Sequence, residues 1–209
     1  MPNYKLTYFD MHAGRGEPIR LAFAIGGIPF KDDRVSFEEW PTRKKTTPFG
    51  SVPVLEVDGK DLAQSNTISR FVGKLTGLYP ADAWEAAMCD ETMDAVEDLV
   101  SDITSTMFLP EEEKKAKREA LAAGPIQSQL QCLQKKLEDN GGKYFAGDSM
   151  TIADLKAAIL LTRMLRSGMI DHIPADLPDK VAPKLVEHYN RVMDNPDVKA
   201  YYAKVGAEM

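Results

Sequence analysis

Every strand signal in the chain falls before about residue 63, and that asymmetry limits the fold more than any other feature. Residues 4–9, YKLTYF, are aromatic-rich and partly alternating, which suits a strand. The turn DMHAGRG follows, and Glu17-Pro18 opens a helix, since proline is tolerated in a first helical turn. Gly26-Gly27 closes it, and IPFKDDRVSF reads as a second strand, completing a right-handed parallel βαβ unit. After a turn-rich stretch at 41–51, two strands meet at Asp58-Gly59, the strongest two-residue hairpin signal. The next helix carries Ile68, Phe71, Val72 and Leu75 at i, i+3, i+4 and i+7, one buried stripe.

That order, βαβ then ββα, is the thioredoxin arrangement. Beyond it, TGLYPADAWEAA reads as a linker into a long helix over 83–108, halted at Leu109-Pro110. EEEKKAKRE is a solvated helix face or a loop, and further helices fit 120–139, 152–167, 181–193 and the segment after Pro196. In SMTIADL, Thr151 is an N-cap, Asp154 its N3 partner, and Met150 with Leu155 a hydrophobic staple. The expected fold is therefore a thioredoxin-like α/β domain over residues 1–80 followed by an all-helical domain over 81–209.

Composition narrows the functional classes. With 44% hydrophobic and 28% charged residues, the chain reads as a soluble globular protein without a membrane span. The N-terminus runs straight into a strand pattern, without a charged, apolar and cleavable leader. Only Cys89 and Cys132 are present, outside any CxxC, which points to a reducing cytoplasm without disulfide, zinc site or dithiol centre. A net charge of −6 speaks against non-specific nucleic-acid binding. Residues 1–80 hold 11 basic and 9 acidic side chains, against 15 and 23 in the remainder, so the N-terminal part is the better host for a small anion.

A thioredoxin fold places its reactive group at the end of the first strand, where a redox enzyme carries CxxC. Here Thr7, Tyr8 and Phe9 stand instead, so Tyr8 is either the working hydroxyl or a core aromatic. Pro53 precedes the third strand, where it cannot donate a ladder hydrogen bond. Either it ends a strand edge, or a cis Val52-Pro53 bond holds the Val52 N–H and C=O out to pair with an extended peptide. Its position facing the Tyr8 loop predicts the second. Gln64-Ser65 opens the following helix, whose positive end suits a carboxylate, although capping alone explains Ser65 equally well.

YKLTYFD…GRGEPIRLAF, WPTRKK, PFGSVPVLEVDG…LAQSNTISRFV and AGDSMTIADL together resemble the soluble glutathione S-transferases, over essentially the full chain. PNYKLTYF, the Trp-Pro pair before the lysines, and QS resemble the sigma class, which includes the glutathione-dependent prostaglandin D synthases. The resemblance implies glutathione bound in an extended pose as co-substrate, with no metal. Val52, aimed by Pro53, would pair with the cysteinyl backbone, and Ser51 stands where the family often has Lys or Gln. Gln64 and Ser65 would hold the γ-glutamyl end, and Trp40 and Lys44 the glycyl carboxylate. Asp98 would reach the γ-glutamyl ammonium of the other subunit in a homodimer. Tyr8 would activate the thiol, whose ordinary pKa is about 8.5. A phenol hydrogen bond that lowers it by about two units makes thiolate the main species at neutral pH.

Arg15 would add a permanent positive charge, or else pair with Glu17 or the nearby turn. It lies seven residues after Tyr8 where the family pattern has six, so DMHAG carries one residue more, with His12 inside it as a pocket or exposed loop residue. The helical domain would complete a pocket for an electrophile from the region of Ser105–Phe108 and the C-terminal tail. The leading reading is an enzyme in which glutathione thiolate attacks an apolar electrophile, for detoxification or isomerisation. A carrier of apolar ligands with little turnover, or a structural protein, is the competing one.

Overall fold

Asp58 and Gly59 both take positive φ, 49° and 81°. That is the type I′ geometry whose twist matches flanking strands, and it joins β3 (Val54–Val57) to β4 (Lys60–Ala63) as expected. The computed structural model describes residues 2–207. In it β1 (Tyr4–Phe9) lies beside β2 (Lys31–Val35) in parallel and beside β3 in antiparallel, giving the sheet order β2-β1-β3-β4. Leu6 stands opposite Leu55 at the centre, and both are fully buried. β2 is shorter than IPFKDDRVSF suggested. Pro29 has no N–H to give a ladder, and the Ile28 N–H is spent on Phe23 O as an extension of the preceding helix.

That helix, α1 (Glu17–Ile25), buries Ile19, Leu21, Ala22 and Phe23 and packs against α3 (Ser65–Thr76). α3 buries Ile68 and Val72 but turns Leu75 out, 40% exposed. Its inner face runs instead through Ser69 and Gly73, small residues that admit a close neighbour. Between β2 and β3 lies the short α2 (Trp40–Arg43).

The chain divides into two compact units, but not as residues 1–80 and 81–209. The first contains everything up to Tyr79 together with the chain from Pro196 onward. α11 (Pro196–Val205) packs on α1 and buries Val198, Tyr201 and Tyr202 there, so it belongs with the sheet-bearing unit.

The second unit, Pro80–Asn195, is entirely helical among the described residues. α4 (Ala83–Thr104) starts at Asp82, whose carboxylate accepts the N–H groups of Trp84 and Glu85. The single helix expected at 120–139 is divided at Gly124-Pro125 into α5 (Glu111–Ala123) and α6 (Pro125–Asp139). Proline cannot continue a helix begun before it but fits the first turn of a new one. The helix expected over 152–167 begins as α7 (Ile152–Leu155), widens to a π-helix over Lys156–Arg163, and ends as α8 (Met164–Arg166). Its middle is buried almost all round. α9 (Leu177–Val181) and α10 (Pro183–Met193) complete the unit.

The Thr151/Asp154 capping box is present. Asp154, fully buried, also accepts the Phe145 N–H at 3.0 Å and meets His188 Nε2 at 2.9 Å. One carboxylate therefore satisfies the helix start, the preceding loop and a buried imidazole. Asp154→Ala leaves all three unpaired, and a stability loss of about 3–5 kcal/mol is expected in urea unfolding. A loss below about 1 kcal/mol would show that water replaces the carboxylate.

Candidate functional site

Thr7, Val54 and Ala63 lie side by side across β1, β3 and β4. The residues that follow in that direction, Tyr8, Pro53 and Gln64, therefore share one end of the sheet. Tyr8 is 5% exposed, and its ring is held by the chain that returns from β1 into α1. There a 3-10 turn, Gly14–Gly16, passes so close that a Cβ at Gly14 would collide with the phenol oxygen and one at Gly16 with the ring. Gly14 also takes φ 69°, which a side chain disfavours. This close approach brings the Arg15 main-chain N–H to the Tyr8 hydroxyl at 2.9 Å. Arg15 was expected to act through its guanidinium; the structure shows its amide on the phenol. The added residue in DMHAG is absorbed in bends at 10–13 without breaking that contact. A phenol oxygen that accepts an N–H is polarised and donates more strongly through its own O–H.

α2 is anchored from below. Asp33 on β2 accepts the Thr7 hydroxyl at 2.9 Å and pairs with Arg43, the last residue of α2. Burial raises the Asp33 pKa, but the Thr7 and Arg43 hydrogen bonds outweigh it and hold the carboxyl below its ordinary value. Ser36 and Glu39 exchange hydrogen bonds reciprocally in front of the helix, Ser36 N–H to Glu39 Oε2 at 3.1 Å and Glu39 N–H to Ser36 Oγ at 3.1 Å. Trp40 is half-buried, its ring edge-on to Phe9 with centroids 5.3 Å apart. Lys44 is exposed, its aliphatic stem lying beside Gly50. That leaves Lys44 next to the loop of Ser51, exposed, and Val52, half-buried.

The Val52-Pro53 bond is cis, as the sequence predicted. Ladder pairing starts only at Val54, and among the described residues the Val52 main chain makes no hydrogen bond. Gln64, on the other side of the hairpin, holds φ 73° and ψ 117°. For a non-glycine residue this conformation costs about 1–3 kcal/mol and concentrates at ligand-binding positions. Gln64 is the N-cap of α3, and Ser65 its first helical residue, which corrects the expectation that Ser65 would cap this helix. Asp98 lies in the other unit, exposed on α4.

Sequence reasoning passed over Asp33, Arg43 and the Ser36–Glu39 exchange. The last was legible, as Ser-x-x-Glu ahead of a helix is a capping signature. Of the two cysteines, Cys89 is fully buried and burial pushes its thiol up to about 11, while Cys132 is exposed. No group of three or more metal-ligating side chains occurs among the described residues. None of the described helices is long and apolar enough to cross a membrane.

Two family models match this chain: glutathione S-transferase, N-terminal domain, over residues 4–74, and glutathione S-transferase, C-terminal domain, over 97–205. The chain belongs to the glutathione S-transferase family. It is 37% identical to glutathione S-transferase 4 of Caenorhabditis elegans over 97% of both chains. Among solved structures it is similar to a prostaglandin synthase D of Nilaparvata lugens, 36% identical with TM-score 0.86 over 97% of this chain and 98% of that one. It is also similar to a monomeric glutathione S-transferase of the hookworm Necator americanus, 31% identical with TM-score 0.77 over 99% and 98%. The resemblance read from the sequence thus holds. This transferase is an enzyme whose co-substrate is glutathione, the thiolate of which attacks an electrophilic small molecule.

Gly16→Ala tests the close approach. Its methyl group meets the Tyr8 ring, which is not a flexible chain end, so overpacking of about 1–3 kcal/mol is expected. Transferase activity should fall with the thermal midpoint; wild-type values for both would mean the turn can retreat without consequence.

Proposed function

We propose that this transferase activates glutathione through the Tyr8 hydroxyl, with the tripeptide lying along the end of the sheet marked by Pro53 and Gln64. The observation that carries the reading is the Arg15 N–H donated to Tyr8, inside a turn whose glycines leave no room for anything but the phenol. The polarised hydroxyl donates to the cysteinyl sulfur and stabilises its anion over its thiol. Arg15, half-exposed beside it, adds positive charge. The Val52 main chain pairs with the cysteinyl backbone as one strand pairs with another. Gln64, with its unusual backbone, and Ser65 in the first turn of α3 receive the γ-glutamyl carboxylate, where the helix dipole favours an anion. Trp40 and Lys44, set beside the Ser51 loop, hold the glycyl carboxylate. The electrophile is apolar, and the site of action is the cytoplasm.

Tyr8→Phe decides the central assignment. The pKa of bound thiol should return from the neutral range toward about 8.5, lowering turnover at pH 7 about 25-fold. Glutathione affinity should stay nearly unchanged, the sign of an interaction made with the thiolate. Wild-type turnover with an unchanged thiol pKa would leave Tyr8 a core aromatic.

The working form proposed is a C2 homodimer, the commonest assembly, in which Asp98 of one copy faces the γ-glutamyl ammonium in the other. Light scattering at micromolar concentration should give twice the chain mass, and Asp98→Asn should raise the KM for glutathione about tenfold with kcat kept. A fully active monomer would defeat this assignment.

A further inference from the structure

Arg20 is fully buried, yet it belongs to no part of the glutathione site described above. Its guanidinium is engaged on every nitrogen. Nε donates to Asp32 Oδ1 at 3.0 Å, Nη1 to Glu17 Oε2 at 3.2 Å and to Met11 O at 2.7 Å, and Nη2 to Phe9 O at 3.2 Å. Two of these four acceptors are side-chain carboxylates that balance its charge. The other two are main-chain carbonyls of the segment leaving Tyr8. The guanidinium carbon also lies 5.7 Å from the centroid of the Tyr8 ring.

Charge balance alone does not explain such a group. A buried ion pair is roughly neutral for stability against well-packed apolar side chains, so its presence is better read in what it orients. Arg15 lies seven positions after Tyr8, and that loop must fold back until the Arg15 N–H reaches the phenol. A fork that holds Phe9 O and Met11 O together fixes the first half of the return, and no point charge can span both acceptors in the same way. The lengthened part of the loop is drawn in as well, since His12 Nδ1 lies 3.4 Å from Glu17 Oε1, the oxygen not bonded to Arg20.

We propose that Arg20 is a positioning residue for thiol activation: by gathering the Phe9 and Met11 carbonyls it sets the loop path that brings the Arg15 amide to Tyr8. The inference rests on the assignment of Tyr8 made above. Glu17 and Asp32 serve it by holding the guanidinium in place.

Arg20→Lys is the test, because it keeps the charge between Glu17 and Asp32 and removes the fork. The thiolate absorbance of bound glutathione, titrated against pH, should give a pKa about one unit higher than wild type, with kcat at pH 7 reduced about threefold. The KM for glutathione should change less than about twofold. The deficit should vanish near pH 9, where the thiol ionises without help, whereas a merely structural defect lowers activity at every pH. An unchanged thiol pKa in folded Arg20→Lys overturns the proposal. If that variant does not fold, Asp32→Ala, which frees Nε at a partly exposed position, decides in its place. A smaller upward shift supports the proposal, and none overturns it. Tyr8→Phe measured in parallel separates the two assignments. If it leaves the thiol pKa unmoved, the Tyr8 reading fails; if it shifts the pKa and the Arg20 and Asp32 variants do not, only the present inference fails.

Discussion

The contact between the Gly14–Gly16 backbone and the face of Tyr8 governs the geometry of this site. Bringing an amide onto a phenol oxygen requires the chain to pass without side chains at two positions, and Gly14 and Gly16 flank the donor for that reason. The turn then runs directly into α1, where Glu17 and Pro18 occupy the first turn and Arg20 follows within the same turn. A single run of seven residues thus supplies the hydrogen-bond donor, the clearance around the ring, the helix start and the buried cation beneath the loop. None of these can be moved along the chain without moving the others.

Around that contact the first unit carries linked pairs of charge. Asp10, Arg34, Asp32, Arg20 and Glu17 form a continuous chain of ion pairs, and Thr7, Asp33 and Arg43 a separate cluster. Such pairs add little net stability, since the desolvation of each ion offsets most of the attraction. Their directional hydrogen bonds fix strand ends and short helices relative to each other, which apolar contacts do only loosely. The same environment acts on Tyr201 of α11, whose phenol burial drives well above its ordinary pKa, with the nearby Glu17 carboxylate adding to the effect. In the second unit Lys156, 2% exposed inside the π-helix, pairs with Glu97, and Asp154 pairs with His188.

The sequence was most informative where a local rule acts alone. Asp58-Gly59 specified the hairpin, Thr151 and Asp154 the helix start, and Pro53 the turn before β3. The thioredoxin order followed from these. What escaped was set by tertiary contact. Nothing in the periodicity of Ile68, Phe71, Val72 and Leu75 reveals that Ser69 and Gly73 form the inner face, because that depends on how closely α1 approaches. A π-helical middle between Lys156 and Arg163 has the same apolar content as an ordinary helix. The candidate site was legible as a set of residue types, with Arg15 one position off the family spacing. The part played by the Arg15 amide was not, since any residue at that position would offer the same N–H. Arg20 was hidden for a related reason: the two partners through which it acts on the loop, Phe9 O and Met11 O, are main-chain carbonyls, which leave no trace in the letters.

The membership of α11 in the first unit has a consequence for how the molecule is made. Its buried Val198, Tyr201 and Tyr202 close over α1, yet they are encoded after the whole of Pro80–Asn195. A ribosome therefore releases the complete sheet, its hairpin and both flanking helices long before the element that covers α1 exists. Until then the apolar side of α1 that α11 will cover is open to solvent and to other chains, the kind of surface that draws chaperones to nascent proteins. The helical unit, contiguous in sequence, has no such interval of waiting.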